Sequence, residues 1–159
     1  MVPGEGPKPC HIAFVGEAPG VIEAKEGRPF VSWAPAGREF ERYLRGVRLA
    51  RDNVYVTNIS KEPTQKNQDP TPEQLKQWVP VLEKELIEVD PRYIIPMGRF
   101  ATRFFLGDVN MEMVHGLAYR NNGYVVIPSI HPAAGPHNPN AQAQIIYDFQ
   151  CAADVIRGN

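Results

Sequence analysis

Four side chains of this sequence suit the binding of a flat, polar ring. Glu17 follows the apolar run IAFV by one residue, Asn58 follows VYVT, and His131 follows YVVIPSI. Phe30 lies in the loop after Glu17. A carboxylate and an imidazole can stabilise charge or transfer protons. A carboxamide offers both a hydrogen-bond donor and an acceptor, and an aromatic ring stacks on a planar group. Together these four groups are typical of a site that recognises a heterocycle.

Each residue alone also has an ordinary structural explanation. Glu17 could be a solvated loop residue or a helix cap, and Phe30 could fill a gap in the core. Asn58 could cap a turn, and His131 could bond to a backbone carbonyl. Their occurrence after successive apolar runs favours one shared site.

The apolar runs themselves predict the elements that position these residues. Four continuous runs are typical of strands covered on both faces, and amphipathic helical patterns lie between them. Two helix starts are marked by a capping residue followed by proline, and Asn121-Asn122-Gly123 predicts a hairpin turn. The predicted strands are Ile12–Val15, Val54–Thr57, Tyr93–Met97 and Tyr124–Ile127, and the predicted starts are Thr71-Pro72, with Gln74 completing a capping box, and Asn138-Pro139.

This alternation predicts an α/β fold, a three-layer α/β/α sandwich with a central four-stranded parallel sheet, as one domain over residues 1–159. Ligands in such folds bind beyond the carboxyl ends of the strands. We therefore expect the strand-end residues to meet at one rim.

Composition excludes several other classes of protein. The formal net charge of −1 shows that the chain is not a polycation, so nucleic acid would have to bind at a local basic patch. No apolar run reaches the roughly 20 residues that cross a bilayer, and the start of the chain lacks an apolar signal core. We expect a cytoplasmic, monomeric protein with no membrane partner. Two cysteines, Cys10 and Cys151, are too few for a disulfide framework or a four-ligand metal site.

Five motifs, in order, resemble the uracil-DNA glycosylase superfamily. The glutamate at the second position of the first motif makes the sequence most similar to family 4. The resemblance covers about residues 12–155 and implies a glycosylase of the same fold that acts on uracil in DNA. The motifs are GEAPG at 16–20, GRPF at 27–30, VYVTN at 54–58, MG..A at 97–101 and HPAA at 131–134.

The resemblance also implies a role for each matching residue. Glu17 and His131 would be catalytic: Glu17 would hold the attacking water or stabilise the sugar cation, and His131 would bond uracil O2. Phe30 would stack on the flipped base, Asn58 would read its O4 and N3, and Glu23 would lie near C5. The implied substrate-binding residues are Gly16, Ala18, Glu23, Phe30 and Asn58, and the implied DNA-binding residues are Lys61, Pro132, Ala133 and Ala134.

The sequence departs from family 4 where that family binds an iron–sulfur cluster through four cysteines. Glu62 and Trp78 occupy two of the cysteine positions, and Cys10 stands alone where a pair is expected. Ala24 replaces a second acidic residue after Glu23. We therefore expect neither a cluster nor another metal or cofactor.

Three hypotheses follow for function. The first is a monofunctional glycosylase that hydrolyses uracil from DNA and leaves an abasic site, in base excision repair, or a variant specific for hypoxanthine or xanthine. The second is a non-catalytic module that binds uracil or damaged DNA. The third, a small-molecule hydrolase or nucleotide-binding protein, lacks the dinucleotide and P-loop glycine motifs. Basic residues predicted near the rim and available for phosphates are Arg38, Lys61, Lys66, Arg99 and Arg103.

Overall fold

Strands and helices alternate along the chain in the computed structural model, which describes residues 1–66 and 68–158. The strands are β1 (Ile12–Gly16), β2 (Tyr55–Asn58), β3 (Tyr93–Pro96), β4 (Tyr119–Asn121) and β5 (Tyr124–Val126). The helices are α1 (Val21–Glu26), α2 (Pro35–Gly46), α3 (Pro72–Val89), α4 (Arg99–Leu106), α5 (Met111–Val114) and α6 (Pro139–Ile156).

The strands form one sheet in the order β2-β1-β3-β5-β4. Strands β2, β1, β3 and β5 are parallel, which confirms the four predicted strands. Strand β4 pairs antiparallel with β5 and adds a fifth strand at the edge. The sheet therefore has one strand more than predicted. The hairpin is tight because Asn122 and Gly123 both have positive φ, at 50° and 86°, as a two-residue type I′ turn requires.

Alternate residues of β1 point into two different cores. Phe14 packs with Phe40 of α2 and Phe149 of α6, whereas Val15 packs with Leu82 of α3. Because successive strand residues face opposite sides of a sheet, α2 and α6 cover one face and α3 the other. This arrangement confirms the predicted three-layer sandwich.

The two marked helix starts are both present. Thr71 and Gln74 form a reciprocal capping box at the start of α3, and Asn138 Oδ1 accepts from Ala141 N at the start of α6. Helices α1 and α5 were not predicted, because elements of six and four residues are too short to show a helical period. In the part of the chain that the structure describes, no helix is both long and apolar enough to cross a membrane.

Candidate active site

The carboxyl ends of β1 and β2 lie side by side. Gly16, the last residue of β1, is in register with Asn58, the last residue of β2. The pairing continues past the strands, since Ile59 N donates to Gly16 O at 3.0 Å and Ser60 N donates to Glu17 O at 2.9 Å. The loops that follow both strands are therefore fixed to each other before they reach the site.

A narrow cleft of about 30 Å³ opens at this edge of the sheet. The rings of Phe30 and His131 lie 6.0 Å apart and are inclined by only 30°. Asn58 and Glu23 supply its buried polar groups. The structure thus brings five of the predicted site residues together in one cavity, namely Ala18, Glu23, Phe30, Asn58 and His131. The lining residues are Ala18, Pro19, Gly20, Glu23, Phe30, Ala36, Asn58 and His131.

The side chains of Asn58 and Phe30 both pack closely against Gly16. A Cβ added at Gly16 would overlap Asn58 Oδ1 and would lie 2.8 Å from Phe30 Cζ. Only a residue without a side chain leaves room for both groups. The glycine of the first motif therefore sets how closely the amide and the ring approach each other.

Phe30 adopts a backbone conformation that is unusual for a residue with a side chain. Its φ is +49°, in the left-handed region, where strain commonly marks functional positions. Arg51 holds this turn, because its guanidinium donates to Phe30 O and to Pro29 O, each at 2.7 Å. No sequence motif points to Arg51, which is 21 residues away from Phe30.

Two polar atoms beside the cleft are buried without a partner. Asn58 Oδ1 and Glu23 Oε2 accept no hydrogen bond within the described chain. The other Glu23 oxygen, Oε1, accepts from Gly20 N at 3.0 Å. Buried polar groups without partners are uncommon in folded proteins and are explained when a ligand supplies the missing donors. The amide and the carboxylate are therefore candidates for contact with a polar ligand.

Glu17 lies beside Gly98, not in the lining of the cleft. A Cβ added at Gly98 would lie 2.8 Å from Glu17 Oε1 and 3.4 Å from His131 Cβ, so Glu17 and His131 flank this glycine. Burial raises the pKa of Glu17 to about 7; nearby Asp69 adds to the rise and Arg99 opposes it. A carboxyl group with this pKa exchanges protons readily near neutral pH.

His131 is held as a neutral imidazole. Burial lowers its pKa to about 4. Its Nδ1 accepts a hydrogen bond from Ala133 N at 3.1 Å, so the single proton of the neutral ring lies on Nε2. His131 can therefore donate from Nε2 without carrying a positive charge.

Asp148 of α6 anchors the loop that carries His131. Its Oδ2 accepts from Ile130 N at 2.9 Å, and its Oδ1 lies 2.6 Å from His115 Nδ1. Neither Asp148 nor Gly98 is among the site residues predicted from the sequence. The available signals were an acidic residue inside the otherwise apolar pattern of α6 and the position of Gly98 directly after β3.

Lys61 is not at the rim, in contrast to its predicted contact with DNA. Its side chain is fully buried, and its ammonium group bonds to Thr57, Asn58 and Glu85. It is therefore unavailable to a phosphate. Of the other predicted DNA-binding residues, Pro132 is buried, whereas Ala133 and Ala134 are exposed next to His131.

The residues present do not fit a four-cysteine cluster. Cys10 is buried on the α3 side of the sheet, with Sγ 3.4 Å from the carbonyl oxygens of Ile12 and Asn53, whereas Cys151 lies on α6 in the opposite layer. Glu62 accepts from Gln74 Nε2 at 3.2 Å. Across residues 1–66 and 68–158, no three His, Cys, Asp or Glu residues are grouped so as to hold a metal ion.

Comparison with known proteins agrees with this geometry. A sequence model of the uracil DNA glycosylase superfamily matches residues 3–150. Type-4 uracil-DNA glycosylases of Sulfurisphaera tokodaii, Saccharolobus solfataricus and Archaeoglobus fulgidus are 34%, 35% and 35% identical. The matches cover 94%, 98% and 94% of this chain and 71%, 76% and 78% of those proteins. The chain therefore belongs to the uracil DNA glycosylase superfamily.

Proposed function

We propose that this protein is a monofunctional uracil-DNA glycosylase of base excision repair. It hydrolyses the N-glycosidic bond between uracil and deoxyribose in DNA and leaves an abasic site. The observation that carries the proposal is the buried Oδ1 of Asn58, which has no partner among the described residues, in a residue that lines the same cleft as Phe30 and His131. The names of the type-4 relatives support the same activity.

The polar groups of the cleft match one edge of a pyrimidine base. Phe30 would stack on the flipped uracil while Asn58 Oδ1 accepts from N3–H and its amide nitrogen donates to O4. The relatives are named uracil-DNA glycosylases, which makes uracil the favoured substrate over hypoxanthine and xanthine.

The reaction requires opposite charges to be stabilised at the sugar and at the base. As the bond from C1′ to N1 breaks, its electron pair moves onto the base, where His131 Nε2–H donates to O2. A water molecule forms the new bond to C1′, and the Glu17 carboxylate orients it and accepts its proton. A donor that bonds more strongly to the departing base than to the bound substrate accelerates this step.

DNA would be held by the exposed part of the 132–134 loop and by basic residues. Ala133 and Ala134 are small and exposed beside His131, which suits insertion into the space left by the flipped base. Arg38, Lys66 and Arg103 are exposed and available for phosphates. Binding should therefore weaken steeply with salt. We further propose that the enzyme acts as a cytoplasmic monomer without a bound cofactor.

The activity is tested with oligonucleotides that contain one uracil, either single-stranded or opposite guanine. We expect release of free uracil and strand cleavage only after alkali, with no product from thymine, hypoxanthine or xanthine controls. Borohydride should trap no covalent adduct, because Lys61 is buried and uses all its donors. Retention of the uracil strand without base release would instead identify a binding module, and release of a purine would overturn the assigned specificity.

A further inference from the structure

Lys61 is buried next to the residue that we assign to base recognition. An ammonium group is normally kept in water, yet the Lys61 side chain has no exposed surface. Its Nζ donates to Thr57 Oγ1 at 2.5 Å, to the backbone oxygen of Asn58 at 2.7 Å, and to Glu85 Oε1. All three donors of the ammonium group are thus satisfied inside the protein.

Glu85 of α3 connects this lysine to the rest of the fold. Its Oε2 accepts from Gly4 N at 2.7 Å and from the Tyr55 hydroxyl at 2.8 Å. Its Oε1 accepts from the Thr57 hydroxyl at 2.9 Å in addition to Lys61. One carboxylate therefore joins the N-terminal segment, β2 and α3 directly beneath the end of β2.

Stability alone is a poor explanation for such a pair. Replacing a buried ion pair by apolar residues of similar volume is often neutral or stabilising, because desolvation of the two charges offsets their attraction. What the pair provides here is a fixed position for the backbone carbonyl of Asn58. This position matters because, among the described residues, no hydrogen bond holds Asn58 Oδ1, which is located by its backbone and by packing against Gly16.

We propose that Lys61 and Glu85 are positioning residues for base recognition. Lys61 fixes the carbonyl of Asn58, and Glu85 fixes Lys61, so that the Asn58 carboxamide faces the edge of the flipped base. Neither residue touches the substrate. The inference rests on the proposed function, since it requires Asn58 to read that base.

The test compares Lys61→Met with Lys76→Met, a matched change at an exposed lysine of α3. Lys61→Met should be less stable than the wild type, because the Glu85 carboxylate stays buried without its cation. We expect it still to fold at the assay temperature, because the methionine fills a similar volume and Glu85 retains three donors. We expect kcat/KM for uracil release to fall by about tenfold to hundredfold, because small misplacements of a positioned group have effects of this order. Lys76→Met should keep the wild-type value.

A double-mutant cycle with Asn58→Ala separates positioning from general damage. If Lys61 acts through Asn58, then Lys61→Met should cost about twofold or less when Asn58 is already alanine. The NMR signals of the Asn58 side-chain amide should also shift in Lys61→Met. An equal loss in both backgrounds, or wild-type activity in Lys61→Met, would overturn the proposal.

Glu85→Gln tests the positioning proposal if Lys61→Met does not fold. This variant keeps the shape of the side chain but weakens its bond to Lys61, and we expect a smaller loss that again disappears in the Asn58→Ala background. If the wild type is active and Asn58→Ala lowers that activity, but neither Lys61→Met nor Glu85→Gln does, then the positioning proposal is wrong and the proposed function is not contradicted. No uracil release by the wild type, or no effect of Asn58→Ala, contradicts the proposed function itself.

Discussion

His131 Nδ1 accepts a hydrogen bond from the backbone N–H of Ala133 at 3.1 Å. This contact fixes the ring as the tautomer with its proton on Nε2, and burial, which lowers the pKa of His131 to about 4, keeps the ring neutral. The donor that faces the departing base is thus fixed before DNA binds, and it needs no reorganisation during the reaction.

Replacing His131 with alanine should lower the single-turnover rate by about 10²- to 10³-fold, the usual cost of removing one donor of this kind. Oligonucleotide binding should change little, because the contact strengthens mainly as charge develops on the base. Nitrogen NMR of the wild type should show a protonated Nε2 at pH 6 and a titration midpoint near 4. A midpoint near 6.5 would contradict the neutral donor.

Asp69→Asn should move the acid limb of the pH profile. Glu17 must be ionised to orient water, so kcat/KM should rise through a pKa of about 7. Asp69 raises that pKa and also pairs with Arg99 at 2.9 Å. Removing its charge both ends the repulsion and frees Arg99 to attract Glu17, so the limb should move to lower pH. Asp52→Asn, at the opposite end of β2, is the control and should leave the limb in place.

Glu17→Gln should abolish most activity yet stabilise the fold at alkaline pH. The pKa of Glu17 is raised from its ordinary 4.5 to about 7 in the folded protein, so the folded state binds more protons than the unfolded state between these values. The contribution of Glu17 to stability therefore declines as pH rises through this window. Urea unfolding should show the variant more stable than the wild type at pH 8, with little difference at pH 4.5. An equal gain in stability at both pH values would show that the ionisation of Glu17 is not its cause.

The strand-end residues could be predicted because short apolar runs with glycine motifs specify where a parallel sheet ends. Lys61 could not be placed correctly, because a lysine after a strand is normally solvated and its partner Glu85 lies 24 residues further on. The hydrogen bond from Arg51 to Phe30 O could not be predicted either, because 21 residues separate the two. Local pattern thus predicts which residues reach the rim, whereas the contacts that fix their positions join distant segments.

Replacing both cysteines should leave the enzyme active. Cys10 packs as a small buried side chain, and Cys151 lies in the opposite layer, so the two thiols cannot share a cluster. We expect Cys10→Ala combined with Cys151→Ala to release uracil within about twofold of the wild-type rate, as for changes remote from a site. Iron analysis of the anaerobically purified wild type should find no stoichiometric iron. Bound iron that disappears in the double variant would contradict this expectation.

Gly16→Ala should block the cleft while preserving the fold. The new methyl group would overlap Asn58 Oδ1 and approach Phe30 Cζ at 2.8 Å, so either the amide or the ring must leave its position. We expect kcat/KM to fall by at least about 10²-fold, in line with the effect of a 1 Å displacement of a positioned group. Gly46→Ala is the matched control, because its Cβ at the end of α2 would meet no atom of residues 1–66 and 68–158 within 4 Å. That variant should retain full activity and gain about 0.5–1 kcal/mol in its free energy of unfolding. Full activity in Gly16→Ala would show that the base does not bind between Asn58 and Phe30.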